Sequence, residues 1–278
     1  MESPIWRMIQ TGPLPGAMNM ALDEVLLNSV QAGTSPPVVR LYRWLPEAVS
    51  LGYAQRGAAQ VNHSYCTAAG IDLVRRLTGG RAVLHAQEVT YSVISRRQGL
   101  FSVGILENYR IIAEVLLHCL RRLGLEAEIS GRHGGISDAH AVEQSACFTA
   151  PAQFEIVCAG KKTCGSSQKR LQDSFLQHGS IPVDMDLLRL FFALNTDERA
   201  CATQGVERLR QKVGWINRFR SRPCSIAEVE TQLMSSFALL WPVRFSVEEP
   251  GAAEIEKARR LAGDKYGLLD WHLRERNE

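Results

Sequence analysis

The spacing of apolar residues along the first part of the chain predicts a helix followed by a sheet. Over residues 17–31 apolar side chains recur about every three to four positions, the period of a helix with one buried face, and Gly33 follows as a stop. Apolar and polar positions alternate over residues 38–44, which is typical of a strand, and residues 48–53 are expected to form the next one. We therefore expect a helix lying on a sheet.

The pattern continues with more strands and a second amphipathic helix. This helix has apolar residues at helical spacing over 108–123 and ends at Gly124. A glycine-containing bend at 159–162 suits a hairpin, and Pro182 marks an edge strand or a strand end, because proline cannot donate to a sheet ladder. Extended segments are expected at residues 71–74, 82–84, 89–94, 154–158, 163–168 and 175–183, a long loop at 131–144 and a helix at 184–194.

Past about residue 200 the pattern becomes helical. Ser225 and Glu228 form a capping box that opens a helix running through Leu239, and another helix is expected over residues 252–262. The chain is thus expected to be an α+β protein. A mixed β-sheet flanked by helices would occupy residues 1–200, and residues 201–278 would form an accessory helical C-terminal region.

One stretch, residues 75–85, concentrates side chains suited to binding a ligand. It holds three arginines, the pair Gly79-Gly80 and His85. Extended runs flank the glycine pair, so we expect a tight turn between two strands, in which backbone N–H groups can approach a ligand closely. Guanidinium groups beside that turn suit a carboxylate, a phosphate or a polarised carbonyl. A surface hairpin with solvated arginines is the alternative.

Composition narrows the class of protein. With 45% hydrophobic and 22% charged residues among 278, the chain is that of a globular protein. Its net charge of +3, without a basic run, does not favour nucleic acid as a partner, although an acidic protein partner fits.

The N-terminal residues lack a signal-peptide pattern and no run of about eighteen apolar residues occurs, so we expect no membrane span and a cytoplasmic protein. Seven scattered cysteines without a CxxC pair favour reduced thiols over disulfides, and no metal site is expected.

Three stretches together resemble the catalytic domain shared by biotin and lipoate protein ligases and octanoyltransferases. They are residues 75–85, then Gly160-Lys161-Lys162-Thr163-Cys164-Gly165-Ser166-Ser167-Gln168-Lys169-Arg170, then Leu176-Gln177-His178-Gly179-Ser180-Ile181. The resemblance covers about residues 18–194, and residues 264–271 resemble the tail of one branch. It implies a catalytic domain of this type in residues 1–200, with an acyl chain held in an apolar slot between the sheet and a helix.

Within this superfamily the chain resembles the octanoyl-[acyl carrier protein]:protein octanoyltransferases of lipoate synthesis. Ligases that use ATP usually carry a third glycine where this chain has Arg81, and they need no cysteine, whereas Cys147 precedes the lysine hairpin here within Ala146-Cys147-Phe148-Thr149-Ala150-Pro151. The resemblance implies that Cys147 takes octanoyl as a thioester from octanoyl-acyl carrier protein. It then passes the group to a lysine of a lipoyl-domain protein like the glycine cleavage H protein. No cofactor is expected, because an acyl thioester is already activated.

Lys162 is the expected partner of that thiol, since it matches the family's lysine by its position before Thr163. A free thiol with a pKa of about 8.5 is only a few per cent thiolate at neutral pH, and a neighbouring cation lowers that pKa. Lys161 is expected on the other face of the strand, because side chains alternate. The alternatives are a solvated Lys162, a structural Cys147, and Cys164 as the nucleophile.

Further residues match positions that bind the substrate in the family. His85 is expected to orient a neighbour by a hydrogen bond rather than act as a general base, and Ala86, where many relatives are acidic, weakens the case for a polar relay there. Three other functions stay open: an ATP-dependent lipoate ligase, an octanoyl amidotransferase between lipoyl proteins, and a silent binding protein for lipoyl domains. The residues that match the turn over the acyl head group are Arg76, Thr78, Gly79, Gly80, Arg81 and His85, and those that match the opposite wall are Gly165, Ser166, Gln177, His178 and Gly179.

Overall fold

The computed structural model describes residues 3–55, 60–130, 154–197, 200–268 and 271–272. Cys147 and the loop expected at residues 131–144 lie outside these described residues. The helices and strands within them are, in chain order, β1 (Ile5–Leu14), α1 (Gly16–Ala32), β2 (Val38–Trp44), β3 (Ala48–Leu51), α2 (His63–Ala68), β4 (Asp72–Arg75), β5 (Val83–His85), β6 (Glu88–Arg96), α3 (Ile105–Arg122), β7 (Ala127–Ile129), β8 (Ile156–Cys158), β9 (Lys161–Arg170), β10 (Ser174–Pro182), α4 (Leu187–Leu194), α5 (Ala202–Lys212), α6 (Ile226–Leu240), β11 (Arg244–Glu248) and α7 (Ala252–Leu261).

An eight-stranded mixed sheet organises the molecule, which confirms the predicted fold class. Its strand order is β11-β1-β2-β6-β10-β9-β8-β7. Strand β1 pairs in parallel with both β11 and β2, and the other pairs in this sheet are antiparallel. The central strands β2, β6 and β10 are buried along nearly their whole length, because apolar layers cover both faces of the sheet.

Helices supply the two apolar layers. On one face α3 and α6 pack over residues such as Trp6 and Phe175, and on the other α1 and α7 pack over residues such as Tyr42. The predicted helix over 17–31 is α1, and Gly33 ends it in the left-handed conformation with a φ of 75°. The predicted capping box opens α6: the Ser225 amide donates to a Glu228 carboxylate oxygen over 2.7 Å.

Gly79-Gly80 lies between two strands, as predicted, but the predicted tight turn there is wrong. Strands β4 and β5 do not pair with each other, because both flank β3 in a separate three-stranded sheet of order β4-β3-β5. The glycines instead lie in a loop, residues 76–82, that crosses the end of β3. A Cβ on Gly52, just after β3, would lie 1.9 Å from the Gly80 carbonyl oxygen, so the crossing depends on a glycine at that position.

The predicted hairpin around residues 159–162 is present and places Lys162 on β9. Ala159 and Gly160 both have positive φ angles, of 47° and 71°, as a two-residue hairpin turn of the primed type requires. Val157 of β8 then pairs with Lys162, and Cys158 pairs with Lys161. Pro182 lies at the end of β10, a strand in the middle of the sheet, so it marks an end rather than an edge.

Residues past 200 contribute helices, as predicted, and also one strand that was not predicted. Strand β11 extends the main sheet beside β1, α6 packs against α3, and α7 packs against α1. The division of the chain near residue 200 stays a prediction. In the part of the chain that the structure describes, each helix is too short or too polar to cross a lipid bilayer.

Candidate active site

A cavity of about 250 Å³ opens where the loop 76–82, β9 and β10 meet. Its apolar wall comes from Met20 of α1, Tyr42 and Trp44 of β2, and Val83 of β5. The polar wall collects most of the residues singled out in the sequence. Nine of those residues line the cavity: Arg76, Gly80, Arg81, His85, Lys162, Gly165, Ser166, His178 and Gly179.

Strand pairing explains why two distant motifs share one wall. Strands β9 and β10 are antiparallel neighbours, with Ser166 opposite Gly179 and Ser167 opposite His178. A Cβ on Gly179 would lie 2.6 Å from the Gly165 carbonyl oxygen and 2.7 Å from the Tyr91 ring, so a side chain there would displace the wall. The motifs 160–170 and 176–181 therefore face the cavity together.

Thr78, Gly79 and Gln177 do not line the cavity, although Gly80 and His178 beside them do. The Thr78 hydroxyl instead lies 2.6 Å from Nε2 of His178 and 2.7 Å from the Ser167 hydroxyl, so it joins the loop to the opposite wall. Gln177 donates to the Tyr91 hydroxyl oxygen over 3.3 Å. The side chains of Thr78 and Gln177 therefore support residues of the cavity wall.

The three arginines of residues 75–85 have different positions and contacts. Arg76 is buried and donates to the carbonyl oxygens of Ser50, Gly79 and Arg81, each over 2.8 Å, so its guanidinium ties the loop into a fixed shape. Arg75 was expected beside the ligand and is not there, because it lies buried behind the loop. Arg81 is exposed and lines the cavity, which leaves it as the arginine placed at the solvent side.

Arg75 instead ties the C-terminal segment to the residues after β3. Its guanidinium donates to the carbonyl oxygens of Gly52 and Gln55 over 2.8 and 2.7 Å, and to those of Trp271 and His272 over 3.0 and 2.5 Å. A buried guanidinium needs several acceptors, and backbone carbonyls at two chain segments supply them here. The charge therefore serves the fold rather than a ligand.

His85 has both ring nitrogens engaged, which favours the orienting role over that of a general base. Nε2 lies 2.7 Å from the Ser50 hydroxyl and Nδ1 lies 2.8 Å from a carboxylate oxygen of Glu88, while the ring stacks on Trp44 at 4.1 Å. Glu88, three residues after His85, thus supplies the carboxylate that is absent at Ala86. Glu88 was not singled out from the sequence, because it stands at the start of an extended apolar run with nothing to show that it contacts His85.

Behind His178 lies a buried polar network that sequence reasoning also missed. Asp23 of α1 accepts a hydrogen bond from Arg40 over 2.8 Å and one from the Tyr42 hydroxyl over 3.0 Å, and lies 3.6 Å from Nδ1 of His178. Burial lowers the pKa of His178. Burial opposes the charged form of Asp23, yet Arg40 and His178 together bring its pKa below the ordinary value. The network fixes the His178 ring against the cavity.

Lys162 lies inside the cavity wall and contacts a carboxylate. Its side chain is only 3% exposed, and its Nζ donates to Glu155, which is 7% exposed and also lines the cavity. Lys161, the preceding residue of β9, is half-buried and does not line the cavity. Glu155 was not singled out from the sequence. A usable sign of its role was its position as a lone charge just before an apolar strand, across a predicted hairpin from a lysine.

Cys164, the rival nucleophile, lies in an apolar cluster beneath the sheet and does not line the cavity. Burial raises its pKa well above the ordinary value of a thiol, which suppresses the reactive thiolate. Burial likewise raises the pKa of Cys66 to about 11 and that of Cys119 to about 12. Among the described cysteines, none lines the cavity; Cys147 lies outside the described residues.

Comparison with known proteins gives consistent matches along the whole chain. Residues 15–238 match the family described as the lipoyl protein ligase A/B catalytic domain. A protein named Octanoyltransferase LipM from Brevibacillus brevis is 38% identical over 278 residues, covering 97% of this chain and 99% of the relative. Another protein of that name, from Carboxydothermus hydrogenoformans, is 38% identical over 275 residues, covering 97% and 98%.

Two solved structures share the fold closely. A lipoate-protein ligase A bound with ATP superposes with a TM-score of 0.77 at 27% identity, covering 98% of this chain and 99% of that one. A bipartite lipoate protein ligase from Thermoplasma acidophilum, described with its E2 lipoyl domain, superposes with a TM-score of 0.79 at 25% identity, covering 100% and 98%.

Proposed function

The chain belongs to the family of the lipoyl protein ligase A/B catalytic domain, and from this premise we propose that it transfers octanoyl through a thioester on Cys147. It is an acyltransferase of lipoate biosynthesis, as its full-length octanoyltransferase relatives indicate. The donor we propose is octanoyl-acyl carrier protein, and the acceptor is a lysine of a lipoyl-domain protein like the glycine cleavage H protein. The observation that carries the proposal is a buried ammonium, Lys162, at a cavity with one apolar wall.

Two transfer steps account for all the atoms. In the first, the Cys147 thiolate attacks the carbonyl carbon of the octanoyl thioester, its bond to the carrier's sulfur breaks, and the carrier thiol leaves with the proton that Cys147 gave up. In the second, the acceptor's neutral lysine amine attacks the acyl-Cys147 carbonyl. An amide forms, the bond to Cys147 breaks, and the proton from the amine passes to the solvent. Neither step needs ATP, because the acyl group enters as a thioester.

Lys162 has two roles in this proposal. A cation near the Cys147 thiol stabilises the thiolate, and each unit by which the thiol pKa falls corresponds to about 1.4 kcal/mol. The same ammonium can donate to the carbonyl oxygen as negative charge develops on it, in a site where low water access strengthens the interaction. The burial of Lys162 and its place in the cavity wall support both roles.

The apolar wall suits the octanoyl chain. Met20, Tyr42, Trp44 and Val83 line the cavity and come from buried positions of the sheet and of α1. Burying about seven apolar carbons, at roughly 0.8 kcal/mol each, stabilises binding by about 5 kcal/mol. That is enough to favour an eight-carbon chain over a much shorter one. The glycine loop and the β9–β10 wall would hold the thioester end, with the proposed binding residues that line the cavity around it.

The segment of residues 207–218 carries four basic side chains and one acidic side chain, Glu207, which pairs with Arg210 over 3.4 Å. The net positive charge of this segment supports acidic protein partners. The exposed Arg208, Arg210 and Lys212 of α5 lie on one segment together with the half-buried Arg218. This segment is attached to β9 directly, since the Gly214 amide donates to the Lys162 carbonyl oxygen over 2.8 Å. Complementary charge speeds the encounter of proteins. A lipoyl domain as the acceptor is also in keeping with the archaeal ligase described with such a domain.

Intact-protein mass measurement tests the function. After incubation with octanoyl-acyl carrier protein and no ATP, we expect the protein to gain the mass of one octanoyl group, and Cys147→Ala to gain none. Cys164→Ala is the matched control and should be acylated normally, because its buried thiol lies away from the cavity. Acylated protein should then deliver octanoyl to a lipoyl-domain acceptor.

Other outcomes would identify the alternatives. Transfer that requires ATP and survives Cys147→Ala would make the protein a ligase. Loading of Cys147 from an octanoylated lipoyl protein but not from the carrier protein would make it an amidotransferase, and binding without turnover would make it a silent binding protein. We also propose a reducing compartment such as the cytoplasm, since the described cysteines are free thiols.

A further inference from the structure

The carboxylate that faces Lys162 has no role in the transfer steps described so far. Among the described residues that line the cavity, Glu155 is the one acidic side chain. It is 7% exposed and accepts a hydrogen bond from Nζ of Lys162. Burying a carboxylate in an apolar setting is costly unless a cation compensates it, so the pair is a built feature of the cavity.

The pair changes the charge that an entering ligand meets. Opposite charges in contact partly offset each other, so the pair attracts a ligand carboxylate less strongly than a lone ammonium at Lys162 would. The guanidinium of Arg76 donates to three backbone carbonyl oxygens, two in its own loop and one, that of Ser50, in β3. Arg81 is exposed, where solvent screens its charge.

From this geometry we infer that Glu155 determines specificity: it lets the cavity take a neutral octanoyl thioester and reject the free octanoate anion. The inference rests on the proposed function, in which this cavity holds the acyl group. A lone ammonium at Lys162 would attract the carboxylate of a free medium-chain acid. With Glu155 beside it, an entering carboxylate meets a second carboxylate and must also lose its hydration. A thioester carbonyl brings no charge and avoids both costs.

The consequence concerns which acyl compounds occupy the site. Hydrolysis of an acyl thioester yields the free acid, which has the same chain and would compete for the same apolar wall. An enzyme that activates a free acid with ATP must bind that anion, whereas a thioester-dependent enzyme gains by excluding it. Glu155 therefore separates two classes of substrate that share an identical hydrocarbon chain.

Octanoate and octanamide form a matched pair of ligands for the test, since they differ in charge and hardly in shape. Using calorimetry at pH 7, we expect the wild-type protein to bind octanamide at least about tenfold more tightly than octanoate. In Glu155→Gln, octanoate should bind at least about tenfold more tightly than in the wild type, with octanamide binding changed by less than about threefold. Glu128→Gln, which alters an exposed carboxylate on β7, should match the wild type.

A second variant assigns the gain to the ammonium. In the double variant Glu155→Gln with Lys162→Met, the gained octanoate affinity should disappear while octanamide still binds. Equal affinities for the two ligands in the wild type, or no gain in a folded Glu155→Gln protein, would overturn the inference. The wild-type comparison needs no variant, so it decides the matter even where Glu155→Gln does not fold.

The same data separate this inference from the proposed function. If the wild-type protein binds neither ligand, the cavity is not the acyl site and the assignment of this site falls with the inference. If the wild-type protein binds octanamide and becomes acylated at Cys147, yet takes octanoate equally well, the function stands and the inference about Glu155 fails.

Discussion

Gly52→Ala tests whether the close crossing of two loops positions the site. The new Cβ would lie 1.9 Å from the Gly80 carbonyl oxygen, and ordinary contacts begin at 3.4 Å, so the glycine loop must retreat by about 1.5 Å. The loop cannot do so freely, because the Tyr53 amide donates to the Thr78 carbonyl oxygen over 2.8 Å and Arg76 holds the Gly79 and Arg81 carbonyls.

The expected cost has two parts. Overpacking of this kind destabilises proteins by about 1–3 kcal/mol. A displacement of about 1 Å at a reacting centre lowers rates by about a hundredfold, and Gly80 and Arg81 line the cavity directly. We therefore expect the second-order rate constant for loading octanoyl onto the protein to fall about a hundredfold. The free energy of unfolding should fall by about 1–3 kcal/mol.

Time-resolved mass measurement of acyl loading, together with denaturant unfolding, checks this expectation. Gly263→Ala is the control, because a Cβ at Gly263 meets nothing within 4 Å and its backbone is not in the left-handed region. A folded Gly52→Ala protein that loads octanoyl within about threefold of the Gly263→Ala rate would refute the idea that this crossing positions the site.

Three further expectations concern the network, pH and chain length. Asp23→Asn should cost about 3–5 kcal/mol of unfolding free energy in denaturant titrations, because it leaves Arg40 buried without its anion, whereas the exposed Asp173→Asn should cost less than about 0.5. Burial lowers the pKa of His272 to about 4, so the folded state binds fewer protons than the unfolded state below pH 6.5. The free energy of unfolding should therefore decline by about 2 kcal/mol as the pH falls from 6.5 toward 4, and His272→Gln should flatten that decline. Met20→Ala enlarges the cavity at its apolar wall and should shift competition between octanoyl and decanoyl carrier proteins toward the longer chain. An unchanged product ratio would show that Met20 does not limit the chain length.

The elements with strong periodicity were predictable from sequence because local chemistry determines them. Helix α1 has a regular apolar stripe and a glycine stop, α6 has a capping box, and the β8–β9 hairpin has a glycine, Gly160, at a turn position with positive φ. Strands β1, β7 and β11 were not predicted, because their stability comes from pairing with residues far along the chain.

The residues of the site also divide into those that the sequence predicted and those that it did not. Motifs on β9 and β10 were predicted to face one ligand, and their antiparallel pairing brings Lys162, Ser166 and His178 to one cavity. The residues that hold these groups were not predictable. Asp23 is one of the buried residues of α1, and its partner Arg40 lies on a separate strand. Glu155 gains a role only once the hairpin places it against Lys162. Such partners depend on three-dimensional proximity, which a single sequence does not display.

The parallel pairing of β1 with β11 has a consequence for biosynthesis. Ile5 pairs with Arg244, so an early strand lacks one of its partners until the ribosome has made a residue 239 positions later. Until then its open side is available to other nascent chains, and long-range pairing of this kind is slow. Expression hosts rich in chaperones, or slower translation at low temperature, should therefore raise the yield of correctly assembled protein.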